Sequence, residues 1–122
     1  MTAWSDADLA LLRDVEEVRI APRREDGSAW PGRLVWVLVV DGRVLVRSWK
    51  GPDAEWYRRA LATGRALLTT DDGALSAEVV LRAEAGLDAT VDAEYLRKYP
   101  DPYATEMTRP PAAGTTLILE PA

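Results

Sequence analysis

The chain has 122 residues, 48% of them apolar, with 15 basic against 20 acidic side chains and a net charge of −5. That length suits a single domain over residues 1–122 with a core of its own, and the acidic balance argues against a nucleic-acid partner, because phosphate neutralisation needs a basic face. Cysteine and histidine are both absent, which excludes disulfides, thiolate metal sites, a cysteine nucleophile, a Ser-His-Asp triad and the usual zinc ligand.

Any proton transfer must therefore come from a carboxylate, a tyrosine, a lysine, an arginine-oriented water or a cofactor. The opening Met1-Thr2-Ala3-Trp4-Ser5-Asp6 is acidic and unlike a signal peptide. The longest apolar run, Leu34 to Val40, is too short to span a bilayer. A cytoplasmic protein with no membrane partner is expected.

In chain order, Ser5 reads as a helix N-cap followed by Asp6 and Asp8 in the first turn. Leu9, Leu11, Leu12 and Val15 supply the apolar side of a short helix ending near Val15. Val18, Ile20 and Pro22 suggest a first strand, which leaves into the polar turn Arg23-Arg24-Glu25-Asp26-Gly27-Ser28 and then Trp30-Pro31-Gly32. Leu34 to Val40 is almost wholly β-branched or aromatic, as a strand buried on both faces should be. Asp41-Gly42 is a strong two-residue hairpin turn, and Val44-Leu45-Val46 returns as its partner through Arg47 and Ser48.

Gly51-Pro52 opens a helix with Asp53 and Glu55 in its first turn, and Thr63-Gly64 closes it. Trp56 with Ala60, and Tyr57 with Leu61, are spaced to face inward. Ala66 to Thr69 and Leu75 to Leu81 form a second hairpin through Asp71-Asp72-Gly73, its second strand alternating as a half-buried strand does. Helical spacing resumes at Asp88, with Val91, Tyr95, Leu96 and Tyr99 on one side, and stops at Pro100. Pro102 to Met107 adds a turn of helix, and Thr115 to Leu119 is a last strand pairing back into the sheet. Six short strands with one inserted helix predict an α+β fold, a small antiparallel six-stranded closed or split β-barrel with two or three flanking helices.

The richest chemical segment is Arg47-Ser48-Trp49-Lys50-Gly51, where a strand gives way to a helix. Free N–H groups at a helix start, a glycine that permits close approach and two point charges suit a phosphate. The competing reading is an ordinary polar turn whose dipole Asp53 and Glu55 already satisfy. Arg23-Arg24 is either a second anion clamp or a solvated loop paired with Glu25 and Asp26. Trp36 and Trp56 are expected in the core, while Trp30 and Trp49, beside loops and basic residues, suit a pocket lining or a dimer interface. Among Tyr95, Tyr99 and Tyr103, the phenols of Tyr99 and Tyr103 are the candidate proton donors, weighed against plain packing. Asp88, Asp92 and Glu94 read as an exposed helix face with no metal-ligand company, so no metal is expected.

Ile20 to Gly27, Leu34 to Val37, Val46-Arg47-Ser48-Trp49-Lys50-Gly51, Glu55 to Leu61 and Ala93 to Tyr99 together resemble an uncharacterised bacterial family, domain of unknown function 2255. The resemblance covers essentially the whole chain. A more distant likeness is to the deazaflavin-dependent nitroreductases of actinobacteria, in which an Arg-Lys-Ser-Gly turn precedes the first hairpin and a Ser-Lys-Gly-Gly segment leads into a helix carrying Trp-Tyr. The likeness implies an FMN-binding split-barrel-like fold whose basic turn and Ser-Lys-Gly segment hold a cofactor phosphate. Residue by residue, it carries the phosphate contacts to Arg23, Arg24, Ser48, Lys50 and Gly51, and the helix aromatics to Trp56 and Tyr57. Trp49 interrupts the segment, and Glu25-Asp26 replaces a Lys-Ser in the turn.

Two functions follow as expectations. The first is an oxidoreductase-like protein, an FMN- or deazaflavin-dependent reductase of a small organic molecule. The second is a cofactor-free barrel that binds a small hydrophobic metabolite, either as a non-redox isomerase or cyclase or as a binding protein. A homodimer is expected in either case, to cover the open flank of a small barrel.

Overall fold

The structure is a computed structural model and describes residues 3–122. Barrel closure decides the fate of the longest apolar run. Residues 34–40 do not make one straight strand: β2 (Arg33–Trp36) and β3 (Leu38–Val40) are separated by Val37 alone. Around them lie α1 (Asp6–Asp14), β1 (Glu17–Pro22), β4 (Arg43–Val46), a single 3-10 turn (Gly51–Asp53), α2 (Glu55–Thr63), β5 (Arg65–Thr69), β6 (Ser76–Ala83), α3 (Asp88–Lys98), α4 (Tyr103–Glu106) and β7 (Leu117–Pro121).

The strands form one antiparallel sheet in the order β2-β1-β5-β6-β7-β4-β3. Its two ends are the halves of the broken strand, so a one-residue corner brings the sheet round into a nearly closed barrel. Seven strands stand where six were expected because closing a sheet into a barrel bends a strand, and here the bend falls at Val37. Trp36 still pairs with Glu17 of β1, and Leu38 with Leu45 of β4.

At the corner Val37 has left the ladder, and the last residue of α3 and the one that follows it take over its polar groups. The Val37 N–H donates to the Tyr99 hydroxyl at 3.0 Å, and its carbonyl accepts from Lys98 Nζ at 2.7 Å. The Tyr99 hydroxyl in turn donates to the Glu16 carbonyl at 2.6 Å. Buried backbone groups need such partners.

Alternation then divides the apolar residues between two cores. Val18, Ile20, Val37, Val44, Val46, Leu68 and Leu119 point into the barrel, under Trp4 and Leu12 from the α1 end. Leu38, Val40, Leu45 and Ile118 point outward beneath Val91, Tyr95 and Tyr99 of the α3 segment. β4 is thereby buried on both sides, whereas Leu34 of β2 is 45% exposed. Ser5 caps α1 as expected, its Oγ accepting from the Asp8 N–H at 3.1 Å. The helix expected from Gly51 is interrupted: the 3-10 turn ends at Ala54, and only then does α2 begin.

Candidate functional site

A cleft of about 690 Å³ opens beside β2, within the range of about 300–1,000 Å³ usual for small-molecule sites. Arg33, Leu34 and Trp36 of β2 form one wall with Glu17 of β1. The connection from β4 to α2 brings Trp49, Lys50, Asp53 and Ala54, α2 adds Glu55 and Trp56, and α4 adds Tyr103 and Glu106.

The connection is held by contacts that leave its tip outward. Ser48 Oγ donates to the Gly51 carbonyl at 2.6 Å, the Gly51 N–H donates to the Ser48 carbonyl at 2.9 Å, and the Ser48 N–H donates to Thr115 Oγ1 at 2.9 Å. Gly51 has φ +85°, and a Cβ there would sit 2.5 Å from Pro111 Cβ. Ser48 and Gly51 therefore close a turn against residues 111–115, and Trp49 and Lys50 at its tip are exposed in the cleft.

Arg47, just before that turn, is 2% exposed and its guanidinium is fully engaged. Nε donates to Thr116 Oγ1 at 2.8 Å, Nη1 to Asp92 Oδ1 at 2.5 Å and to the Met107 carbonyl at 2.8 Å, and Nη2 to Asp88 Oδ1 at 3.3 Å. It ties β4 to β7, α3 and the end of α4, and so fixes the wall that carries Tyr103 and Glu106. Asp88 and Asp92, read from sequence as a plain solvated face, are its carboxylate partners.

Arg23, Arg24 and Trp30 lie outside the lining of the cleft. Arg23 pairs with Glu78 across the sheet. Arg24 lies over the Trp30 ring at 4.0 Å and donates to Ser28 Oγ and the Ala29 carbonyl, while Arg59 covers Trp30 at 3.7 Å. The basic turn and the Ser48–Gly51 segment thus sit at separate places. Of the two candidate phenols, Tyr103 is 60% exposed in the cleft and Tyr99 is buried at the Val37 corner, where burial pushes its phenol up.

Sequence reasoning put Trp36 and Trp56 in the core, and the structure places both, half-buried, in the cleft wall. The inward residues of α2 are Tyr57 and Ala60, with Leu61 42% exposed. Arg33, Glu17 and Glu106 were not singled out, because nothing in strand alternation marks which outward residues border a barrel mouth.

The electrostatics are mixed. Among the described residues Arg33 and Lys50 make no ion pair, nor do Glu17, Asp53 and Glu106, while Glu55 holds Arg59 at 3.1 Å. The Glu106 carboxylate accepts from Trp49 Nε1 at 3.0 Å. Among the described residues no side chain caps the start of α2, so the backbone N–H groups of its first turn have no side-chain acceptor, and Glu55 and Trp56 of that turn line the cleft. Among the described residues no His, Cys, Asp or Glu group of three or more is placed to hold a metal ion, and no helix is long and apolar enough to cross a membrane.

The family model described as an uncharacterized protein conserved in bacteria, DUF2255, matches residues 8–119. The chain belongs to this family. No curated protein matches it. Among solved structures the DUF2255 chain superposes on HutZ, the heme storage protein of Vibrio cholerae, with a TM-score of 0.70 at 10% identity over 96% of this chain and 89% of that one. An F420 reductase gives a TM-score of 0.56 at 16% identity, over 93% and 91% of the two chains. A pyridoxamine 5'-phosphate oxidase-related, FMN-binding protein of Nostoc punctiforme gives 0.50 at 11% identity, over 94% and 78%. At such identities the likeness is one of fold: this DUF2255 chain is a split barrel of the kind seen in flavin-type proteins.

Proposed function

We propose that the protein binds FMN or a deazaflavin coenzyme in the cleft beside β2 and acts as a reductase of a small organic molecule. The carrying observation is the company that the indoles of Trp36 and Trp56 keep there: the uncapped start of α2, Lys50 and Arg33. The donor set suits the group. Helix N–H groups and two cations without ion pairs among the described residues are chemistry for a phosphate, and half-buried indoles are surfaces for a planar ring.

Lys50 and Arg33 would hold the phosphate, and the backbone around Gly51 would set the height of the loop. Arg47 and Ser48 act from behind, fixing the wall and the turn. Tyr103, exposed in the cleft, is the phenol positioned to give a proton to a bound molecule. The bound ring would supply hydride transfer. A homodimer would cover Leu34, which is 45% exposed on β2.

The carboxylates Glu17, Asp53, Glu55 and Glu106 in the same lining favour the second reading, a cofactor-free barrel for a small metabolite. A tryptophan-fluorescence titration with FMN and, separately, with the deazaflavin coenzyme decides between them. Saturable micromolar binding, weakened at least about tenfold in Lys50→Ala with Arg33→Ala, is the expected result. Absence of binding to either coenzyme up to about 100 μM, weaker than roughly −5.5 kcal/mol, would overturn the redox reading.

A further inference from the structure

One corner of the cleft has a chemistry of its own. Trp49 is 58% exposed and Tyr103 is 60% exposed, two large aromatic rings left in contact with solvent on the same cleft. Glu106 shares α4 with Tyr103, and its Oε2 accepts the Trp49 indole N–H at 3.0 Å. That bond fixes the indole relative to the carboxylate and uses one oxygen, leaving the other without a hydrogen bond among the described residues. Asp53 lines the same cleft, also without an ion pair among the described residues.

Exposed aromatic rings beside an oriented carboxylate are poor company for an anion and good company for a cation. The ring faces attract positive charge, and a methylated ammonium or pyridinium gives up little hydration on leaving water. Lys50 and Arg33 are the cationic part of this lining, whereas the Trp49, Tyr103 and Glu106 corner offers ring faces and a carboxylate, which suit the opposite charge.

We propose that this corner is a binding site for an organic cation, a quaternary or protonated amine carried by the small-molecule substrate. The inference rests on the reading above only in making the cation part of a substrate. Binding of the cation itself needs no cofactor.

The test uses the full-length protein without any coenzyme, with choline as the probe and its uncharged dimethylbutanol isostere as the control. The signal is the indole N–H resonance of Trp49, assigned by its loss in Trp49→Phe. Choline is expected to move that resonance saturably at millimolar concentration, and the isostere to bind at least about tenfold more weakly. Glu106→Gln, an exposed and nearly isosteric change, is expected to weaken choline several-fold, and added salt to weaken it in the wild type. Equal shifts from choline and the isostere, or no saturable shift from choline, would overturn the site. Either result leaves the coenzyme titration to stand or fall on its own.

Discussion

Tyr99 lies flat against Trp36, the ring centroids 3.9 Å apart and the planes 1° from parallel. One partner lines the cleft and the other seals the Val37 corner, so the barrel's closure and the cleft wall share a support. The stack belongs to the rings, and the corner belongs to the hydroxyl. Tyr99→Phe is therefore expected to keep the stack while leaving the Val37 N–H and the Glu16 carbonyl without their partner. The loss should be about 1–3 kcal/mol of stability in urea denaturation, with ligand affinity in the cleft nearly unchanged. A loss of turnover with stability intact would instead make Tyr99 a proton donor.

Arg47 and Lys50 are three residues apart and carry opposite expectations. Removing the Arg47 side chain strands Thr116 Oγ1 and the Met107 carbonyl in a buried setting and separates Asp92 from its cation. Arg47→Met should cost about 3 kcal/mol or more, seen as a lower urea midpoint. Lys50→Ala removes an exposed side chain with no ion pair among the described residues and should change stability by no more than about 0.5 kcal/mol, while weakening anion binding in the cleft. Equal losses of stability in the two variants would contradict the division of roles.

How far the sequence was readable depended on whether a feature was local. Ser5 and its helix, the Asp41-Gly42 hairpin and the half-buried β6 are set by neighbours in the chain, and each appears where periodicity and turn chemistry put it. The break at Val37 was invisible, because a β-branched run reads as one strand whether or not a barrel later bends it. Its replacement partners, Lys98 and Tyr99, arrive from a helix some sixty residues away. Arg47 was legible as a charged residue at a useful position. Its commitment to Asp88, Asp92, Thr116 and Met107 depends on three other elements folding over it. Trp36 and Trp56 do pack, half-buried, against the two cores, and their place in the cleft wall was hidden for the same reason: hydrophobicity says that a residue avoids water, not which cavity it borders.

The turn that presents Lys50 depends on Gly51 for two separate reasons. Its φ of +85° disfavours any side chain, and a Cβ would lie 2.5 Å from Pro111 Cβ and 3.0 Å from the Pro111 carbonyl oxygen. Gly73, at φ +76° with nothing within 4 Å of a Cβ, carries only the first penalty. Gly73→Ala should therefore cost about 1–2 kcal/mol, and Gly51→Ala should exceed it by a further 1–3 kcal/mol or so from overlap. Thermal or urea unfolding of the two variants gives the difference directly. Equal costs would mean that the residues around Pro111 give way freely and that the loop is not pinned there.

Lys98 ties the corner to the end of α1, its Nζ donating to the Val37 carbonyl at 2.7 Å and to the Leu12 carbonyl at 3.2 Å. Burial pulls its ammonium down to about 8 from the ordinary 10.5, with Glu94 and Asp14 opposing the shift. The folded protein thus releases this proton at a lower pH than the unfolded chain does. Between about pH 8 and 10.5 the unfolded chain binds the extra proton, so the contribution of Lys98 to stability grows as pH rises through that window, and is lost again as pH falls through 8. The tyrosines raised by burial act the other way above pH 10, so the wild type must be compared with Lys98→Met rather than followed alone. From pH 8 to 10 the wild type should gain stability relative to that variant in urea denaturation. A flat difference, or one of opposite slope, would show that the two carbonyls hold Lys98 charged in spite of its burial.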